Sequence, residues 1–357
     1  MSRLGGVLGI LRIAGLAGLR RLQANAGSLK KYVRPYAVID CLVALEEVGL
    51  LAKLCSGDVV DIDAQPGVDR TVLETVLEYL FENDLLRRTG GSRYAVRDRR
   101  RFEVTLDALY ACLAYREPGH FMGRLLGGQS RYGSDVARSD RYDAIASATL
   151  TSKFSYGFAR SLIQRSGADS LLDIGCGTGQ FLSYLAENGF TGMLYGMDHA
   201  EEAIAEGKAS QCQRDNVELF VGDALRLKDS AQRSGVRSVA LVSFMFVLHE
   251  FDDQMVKAIL ASIADAFPQA RILLIELIDR TSDELRRTRE TTVFPELKLV
   301  HRLSNQVLRT REQWVSLLAA SGYGVAAQRR NDIANHVGFL FERNRDAGSA
   351  QGAHDGR

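Results

Sequence analysis

A doubly wound α/β fold behind a smaller, mostly helical domain is what this sequence predicts, and three observations predict it. Across residues 161–345, apolar runs of strand length alternate with segments of helical periodicity. The first such run, Leu171-Leu172-Asp173-Ile174, enters a loop of alternating glycines, Gly175-Cys176-Gly177-Thr178-Gly179. The first hundred residues lack that alternation. Regular alternation implies a parallel sheet with helices on both faces, whose ligands bind outside the carboxyl ends of the strands.

The organisation in order is a helical domain over 1–100, bridging helices that line a cleft over 101–160, the α/β domain over 161–345, and a polar tail over 346–357 expected to be disordered. Leu4 to Leu19 is apolar, but Arg12 interrupts it and no run reaches the roughly 18 residues that span a bilayer. It reads as an amphipathic helix that packs on another helix or a partner subunit. Val38 to Leu54 has helical spacing, Val59 to Ile62 is strand-like, and Thr71 to Asn83 reads as a helix with Asp69 as N-cap. A hairpin follows, Leu85 to Arg88 and Arg93 to Val96 around Gly90-Gly91. That is the order of a winged helix. Its recognition-helix position carries Glu74, Glu78 and Glu82, which would repel phosphates, so packing or dimerisation is expected there rather than DNA binding.

In the α/β domain the expected strands are 171–174, 193–197, 217–221, 239–244 and 271–277, closed by an antiparallel pair at 324–328 and 337–341. The expected helices are 180–188, 201–210, 253–266 and 311–320.

Composition narrows the function. Lys and Arg total 45 against 44 for Asp and Glu, so no overall charge draws the chain to nucleic acid or a membrane. Five scattered cysteines without a CxxC pair argue against a disulfide framework and fit a reducing cytoplasm.

The glycine loop lacks the final glycine of G-x-G-x-x-G, since Gln180 stands there, and it has no GK[ST] phosphate cradle. An acid precedes it instead. Asp173 is placed to accept from a cationic amino group, Asp198 ends the next strand where ribose hydroxyls would lie, and Val221-Gly222-Asp223-Ala224 offers an acceptor for an adenine amine. These residues resemble the class I S-adenosylmethionine (SAM)-dependent methyltransferases. The resemblance implies that Asp173, Gly175, Gly177, Gly179, Asp198, Asp223 and Ala224 bind SAM. With the winged-helix-like domain in front, the whole chain resembles the small-molecule methyltransferases of specialised metabolism such as antibiotic biosynthesis, and implies a homodimer through the N-terminal domain.

Strand four runs into Phe246-Val247-Leu248-His249-Glu250-Phe251. In the O-methyltransferases a His at this place is the general base, and His249 aligns with it. That family carries a glutamate before the Arg-Thr that opens the penultimate helix, whereas here Leu308 precedes Arg309-Thr310. A second histidine, His301, follows strand five on the same side of the sheet. This pairing resembles the metal-dependent α-keto acid C-methyltransferases of phenylpyruvate or 2-ketoarginine type. The resemblance implies that His249 and His301 hold one iron or zinc ion. Glu250 then orients His249 or takes the C3 proton, and Glu276 is a supporting partner or a capping acid. Arg131 in a Gly-rich loop is the expected anchor for the keto-acid carboxylate. Glu250, Glu117 and Asp135 are the acids available for a guanidinium, and Tyr110, Tyr115, Phe121 and Phe246 the aromatic walls available for an aryl group.

The first expectation is therefore C3 methylation of an α-keto acid. The alternatives are O-methylation of a phenol with His249 as base, and a winged-helix regulator that senses a ligand.

Overall fold

The computed structural model describes residues 16–18, 20–210, 214–288, 294–332 and 335–344. Most of the apolar leader, Cys212, and the whole 346–357 tail with His354 lie outside them. The chain divides into two compact units between Ala114 and Tyr115. That boundary falls inside the stretch read as bridging helices, directly after the helix Arg99–Ala114.

The first unit has the expected winged-helix order. Strands β1 (Val60–Asp61), β2 (Leu86–Gly90) and β3 (Arg93–Val96) form a small sheet in the order β1-β3-β2. The helix expected over Val38 to Leu54 is two, Arg34–Glu47 and Leu50–Ser56. Gly49 takes φ +72° between them, a left-handed conformation that ends the first helix. The helix Arg70–Glu82 starts at Asp69, whose carboxylate accepts from the Val72 N–H at 2.9 Å. Its Leu73, Leu77 and Leu80 are buried on one face, and Glu78 pairs with Arg88 of the hairpin at 2.6 Å.

The second unit is a seven-stranded sheet: β4 (Ser170–Ile174), β5 (Met193–Asp198), β6 (Val217–Val221), β7 (Leu241–Met245), β8 (Arg271–Leu277), β9 (Tyr323–Asn331) and β10 (His336–Arg343). The order is β6-β5-β4-β7-β8-β10-β9, with β10 antiparallel to both neighbours. His336 is the buried first residue of β10, opposite Leu277.

Alternation along the strands builds two cores. Leu172, Val242, Phe244, Ile272 and Leu274 face one side, packed by helices Leu227–Arg233, Asp253–Ala266 and Arg311–Ala319. Leu171, Leu241, Leu273 and Ile275 face the other, packed by Tyr156–Ser166, Gln180–Glu187 and Glu201–Ser210. Each fully buried Leu or Ile contributes about 1.5–3 kcal/mol, so both layers hold the sheet firmly. The chain winds outward from β4 to β6 and then returns to β7. The switch point between β4 and β7 is where a cleft opens at the carboxyl ends.

Candidate active site

Two groups of residues meet at that switch point. The first is the glycine loop after β4. Gly175, Gly177 and Gly179 take φ of +76°, +54° and +76°. A Cβ at Gly175 would lie 2.7 Å from Val247 Cγ2, so only glycine lets this loop pass the segment leaving β7. The loop is fastened to β5: the Gly175 N–H donates to the Met197 carbonyl at 2.8 Å. Asp198 accepts from the Gly177 N–H at 2.8 Å and from the Ala200 N–H at 3.0 Å. A carboxylate has about four acceptor sites, so capacity remains for a diol. Asp173 is buried beside the loop, with one oxygen accepting from Ser243 Oγ at 2.6 Å. Burial pushes its carboxyl up to about 7, against that hydrogen bond. A cation placed opposite would restore the charged form, as an amino-acid ammonium would. The donor set therefore fits the SAM expectation at Asp173, the three glycines and Asp198. At the end of β6, Asp223 caps its own turn through Leu225 N–H at 2.9 Å and pairs with Arg226 at 3.1 Å, with Ala224 opening that turn.

The second group follows β7. Phe246 takes φ +59°, sparsely populated for a bulky side chain, and turns the chain toward a short helical turn, Leu248–Glu250. His249 on that turn is buried. Its Nδ1 lies 2.8 Å from Glu276 Oε2, and its backbone N–H donates to Oε1 of the same carboxylate at 3.2 Å. Glu276, fully buried in β8, is the acid that stands behind His249. A carboxylate only accepts, so Nδ1 carries a proton, and in the neutral ring Nε2 keeps the lone pair. Burial pulls His249 down, but the Glu276 charge and hydrogen bond outweigh it and the net shift is upward.

His301 sits in the helix Phe294–Leu303, which the strand and helix pattern did not disclose. Its Nδ1 lies 2.6 Å from the Leu297 carbonyl, which fixes the same tautomer and again leaves Nε2 as acceptor. Burial and the neighbouring His249 push it down to about 4, so it is neutral at pH 7. The rings of His249 and His301 are 5.1 Å apart. Two imidazoles whose Nδ1–H groups are tied to acceptors fit a divalent metal, since that outer hydrogen bond usually fixes a histidine ligand. Among the described residues, no group of three His, Cys, Asp or Glu gathers as a metal site, so the donor set is two nitrogens.

Around the pair lies a charged network. Glu250 Oε1 is 3.7 Å from His249 Nε2, accepts from Arg138 Nη1 at 2.9 Å and from Gln306 Nε2 at 2.6 Å. Arg138 also faces Asp143 at 3.5 Å, and Tyr115 OH donates to Asp143 at 3.2 Å. Burial raises Asp143, with Arg138 opposing. Arg131 is not the cation that joins this network. It is exposed, its N–H donates to Asp135 at 2.8 Å, and it lines a separate open cavity of about 640 Å³ with Met122, Leu125, Tyr132 and Arg302. Glu117 and Asp135 are likewise exposed, and Asp143 is the acid that joins the network. Of the aromatic residues, Tyr115 comes within 6.5 Å of the His301 ring, and Tyr110 belongs to the first unit. Arg138, Asp143 and Gln306 carried no local motif that would have singled them out.

Comparison with known proteins agrees with the fold. The family model described as a methyltransferase domain matches residues 137–331. The 2-ketoarginine methyltransferase of Streptomyces arginensis is 25% identical over 332 residues, covering 88% of this chain and 95% of that protein. Human N-acetylserotonin methyltransferase in complex with SAM shares the fold with a TM-score of 0.66 at 17% identity, covering 90% of this chain and 98% of that one. The mitomycin 7-O-methyltransferase MmcR does so with a TM-score of 0.62 at 18% identity, over 91% and 99%.

Proposed function

This chain belongs to the methyltransferase-domain family, and we propose that it is a SAM-dependent C-methyltransferase acting on C3 of an α-keto acid such as 2-ketoarginine. The observation that carries the reading is the pair of buried imidazoles 5.1 Å apart, both with Nδ1 tied to an acceptor and Nε2 left for a ligand. The relative named for 2-ketoarginine supports the substrate class.

The donor is held by Asp173, the 175–179 loop and Asp198 at the carboxyl ends of β4 and β5. His249 Nε2 and His301 Nε2 would hold an iron or zinc ion, which supplies a Lewis acid for the keto oxygen. This chain's own groups do the rest. Arg138, rather than Arg131, offers its guanidinium to the substrate carboxylate. Glu250, held ready by Arg138 and Gln306, takes the proton from C3. The electron pair left on C3 attacks the sulfonium methyl. The carbon–carbon bond forms as the sulfur–methyl bond breaks, and S-adenosylhomocysteine leaves.

A second reading has its own observation. The buried His249–Glu276 pair is by itself a competent base for a phenolic hydroxyl. It needs no His301. The two are separated by elemental analysis of the purified protein incubated with metal and a keto acid, beside His249→Ala and His301→Ala. Near-stoichiometric iron or zinc that falls away in both variants, together with keto-acid methylation, is expected. Full methyl transfer by His301→Ala without metal assigns the protein to O-methylation.

A further inference from the structure

The Gln306 amide sits against Glu250 with one end satisfied and the other not. Gln306 is 6% exposed. Its Nε2 donates to Glu250 at 2.6 Å, and because a carboxylate only accepts, the amide orientation is fixed. Its Oε1 is buried with no hydrogen-bond partner. A buried acceptor left unmet is costly and calls for an explanation, a bound ligand group among them. The charges nearby point to the sign of that ligand. Glu250, Asp143 and Asp140 share a single guanidinium, Arg138.

We infer that Gln306 is the specificity-determining residue for a cationic end of the substrate, with Oε1 accepting from a guanidinium that Glu250 and Asp143 balance in charge. The inference rests on the α-keto acid reading and adds which end group that acid carries. The distances suit it. Glu250 Oε1 is shared by both contacts, 3.7 Å to His249 Nε2 and 2.6 Å to Gln306 Nε2, so the amide is no farther from the imidazole than those two lengths end to end. A keto group seated at the histidine pair reaches that far through three methylenes.

The test compares 5-guanidino-2-oxopentanoate with its hydrocarbon isostere 7-methyl-2-oxooctanoate as substrates of the wild type and of Gln306→Met. The wild type is expected to prefer the guanidino acid. Gln306→Met is expected to lower that preference, as the ratio of kcat/KM values, by roughly ten- to a hundredfold, the range for one charge-assisted hydrogen bond. A structural defect lowers both substrates alike, so an unchanged ratio overturns the assignment. Should the variant turn over too slowly, the ratio of the two acids' affinities in the presence of S-adenosylhomocysteine, by titration calorimetry, reads the same quantity and decides in the same way. A wild type that methylates neither acid refutes the keto-acid reading itself, which is a different result from an unchanged ratio.

Discussion

The two halves of the cleft are built from contacts of different reach. On the cofactor side most of the groups that matter lie close in sequence: Gly177 and Asp198 are 21 residues apart, and Ala200 and Asp198 only 2, with Ser243 on Asp173 the long-range exception at 70. On the acceptor side, His249 meets Glu276 across 27 residues, Gln306 meets Glu250 across 56, and Arg138 meets Glu250 across 112. The cofactor side is one strand–loop–helix unit and the strand beside it. The acceptor side is assembled from five separate stretches of chain. The first is fixed by local backbone geometry, and the second exists only once the sheet has formed.

The strongest way to break that contrast is at Glu276. Glu276→Gln keeps the side chain's shape and removes the charge that raises His249. Methyl transfer is expected to fall about 10- to 100-fold, the usual cost of losing the partner behind a functional imidazole. Binding of S-adenosylhomocysteine, measured in parallel by titration calorimetry, should not change. Loss of cofactor affinity together with rate would mean that the two halves are not separable.

This division decides how much of the molecule was legible in the sequence. The strands, the switch point and the loop 175–179 announced themselves through alternation and glycine spacing, because each is a local property. His249 was found because it directly follows a central strand. His301 was found by its resemblance to a known pairing, and its helix was not. Arg131 stands out in sequence because it lies in the Gly-rich loop, and Arg138 carries no such signal, yet Arg138 reaches Glu250 while Arg131 is exposed. Nothing in the pattern of a loop says which of two arginines a carboxylate 112 residues away will select. The break at Gly49 shows a smaller failure of the same kind: helical periodicity ran through a residue whose backbone ends the helix.

The halves should also respond to pH in opposite senses. Asp173, raised to about 7 by burial, keeps a proton that the unfolded chain has already lost, so its contribution to stability fades as pH climbs from about 4 through 7. A cation from the donor reverses this, and affinity for S-adenosylhomocysteine should rise close to tenfold per pH unit below 7 and then level off. His301, lowered to about 4, refuses a proton that the unfolded chain takes up near 6.5. Its share of stability is therefore lost as pH falls between those values, on the order of 3 kcal/mol in all. Chemical denaturation of His301→Gln beside the wild type at pH 7 and 4.5 reads that share directly. The variant should show a shallower loss on acidification. Parallel losses would mean that His301 is not held neutral by its surroundings.

The smallest effect sharpens the comparison from the structural side. Asp252 caps the helix Asp253–Ala266 through the Met255 N–H at 2.8 Å, three residues beyond His249. Asp252→Ala should cost about 1 kcal/mol, near 2–4 °C in Tm. Its effect on kcat should nonetheless stay within about twofold, because the turn bearing His249 is held by contacts the cap does not supply. Arg309, itself buried, donates to the Phe251 carbonyl at 2.7 Å and to the Leu248 carbonyl at 3.4 Å. Val307 N–H donates to the His249 carbonyl at 2.7 Å. A tenfold or larger fall in kcat would show that the helix cap, and not this clasp, sets the position of the imidazole, and would move the weak point of the acceptor half from its long-range contacts to a local one.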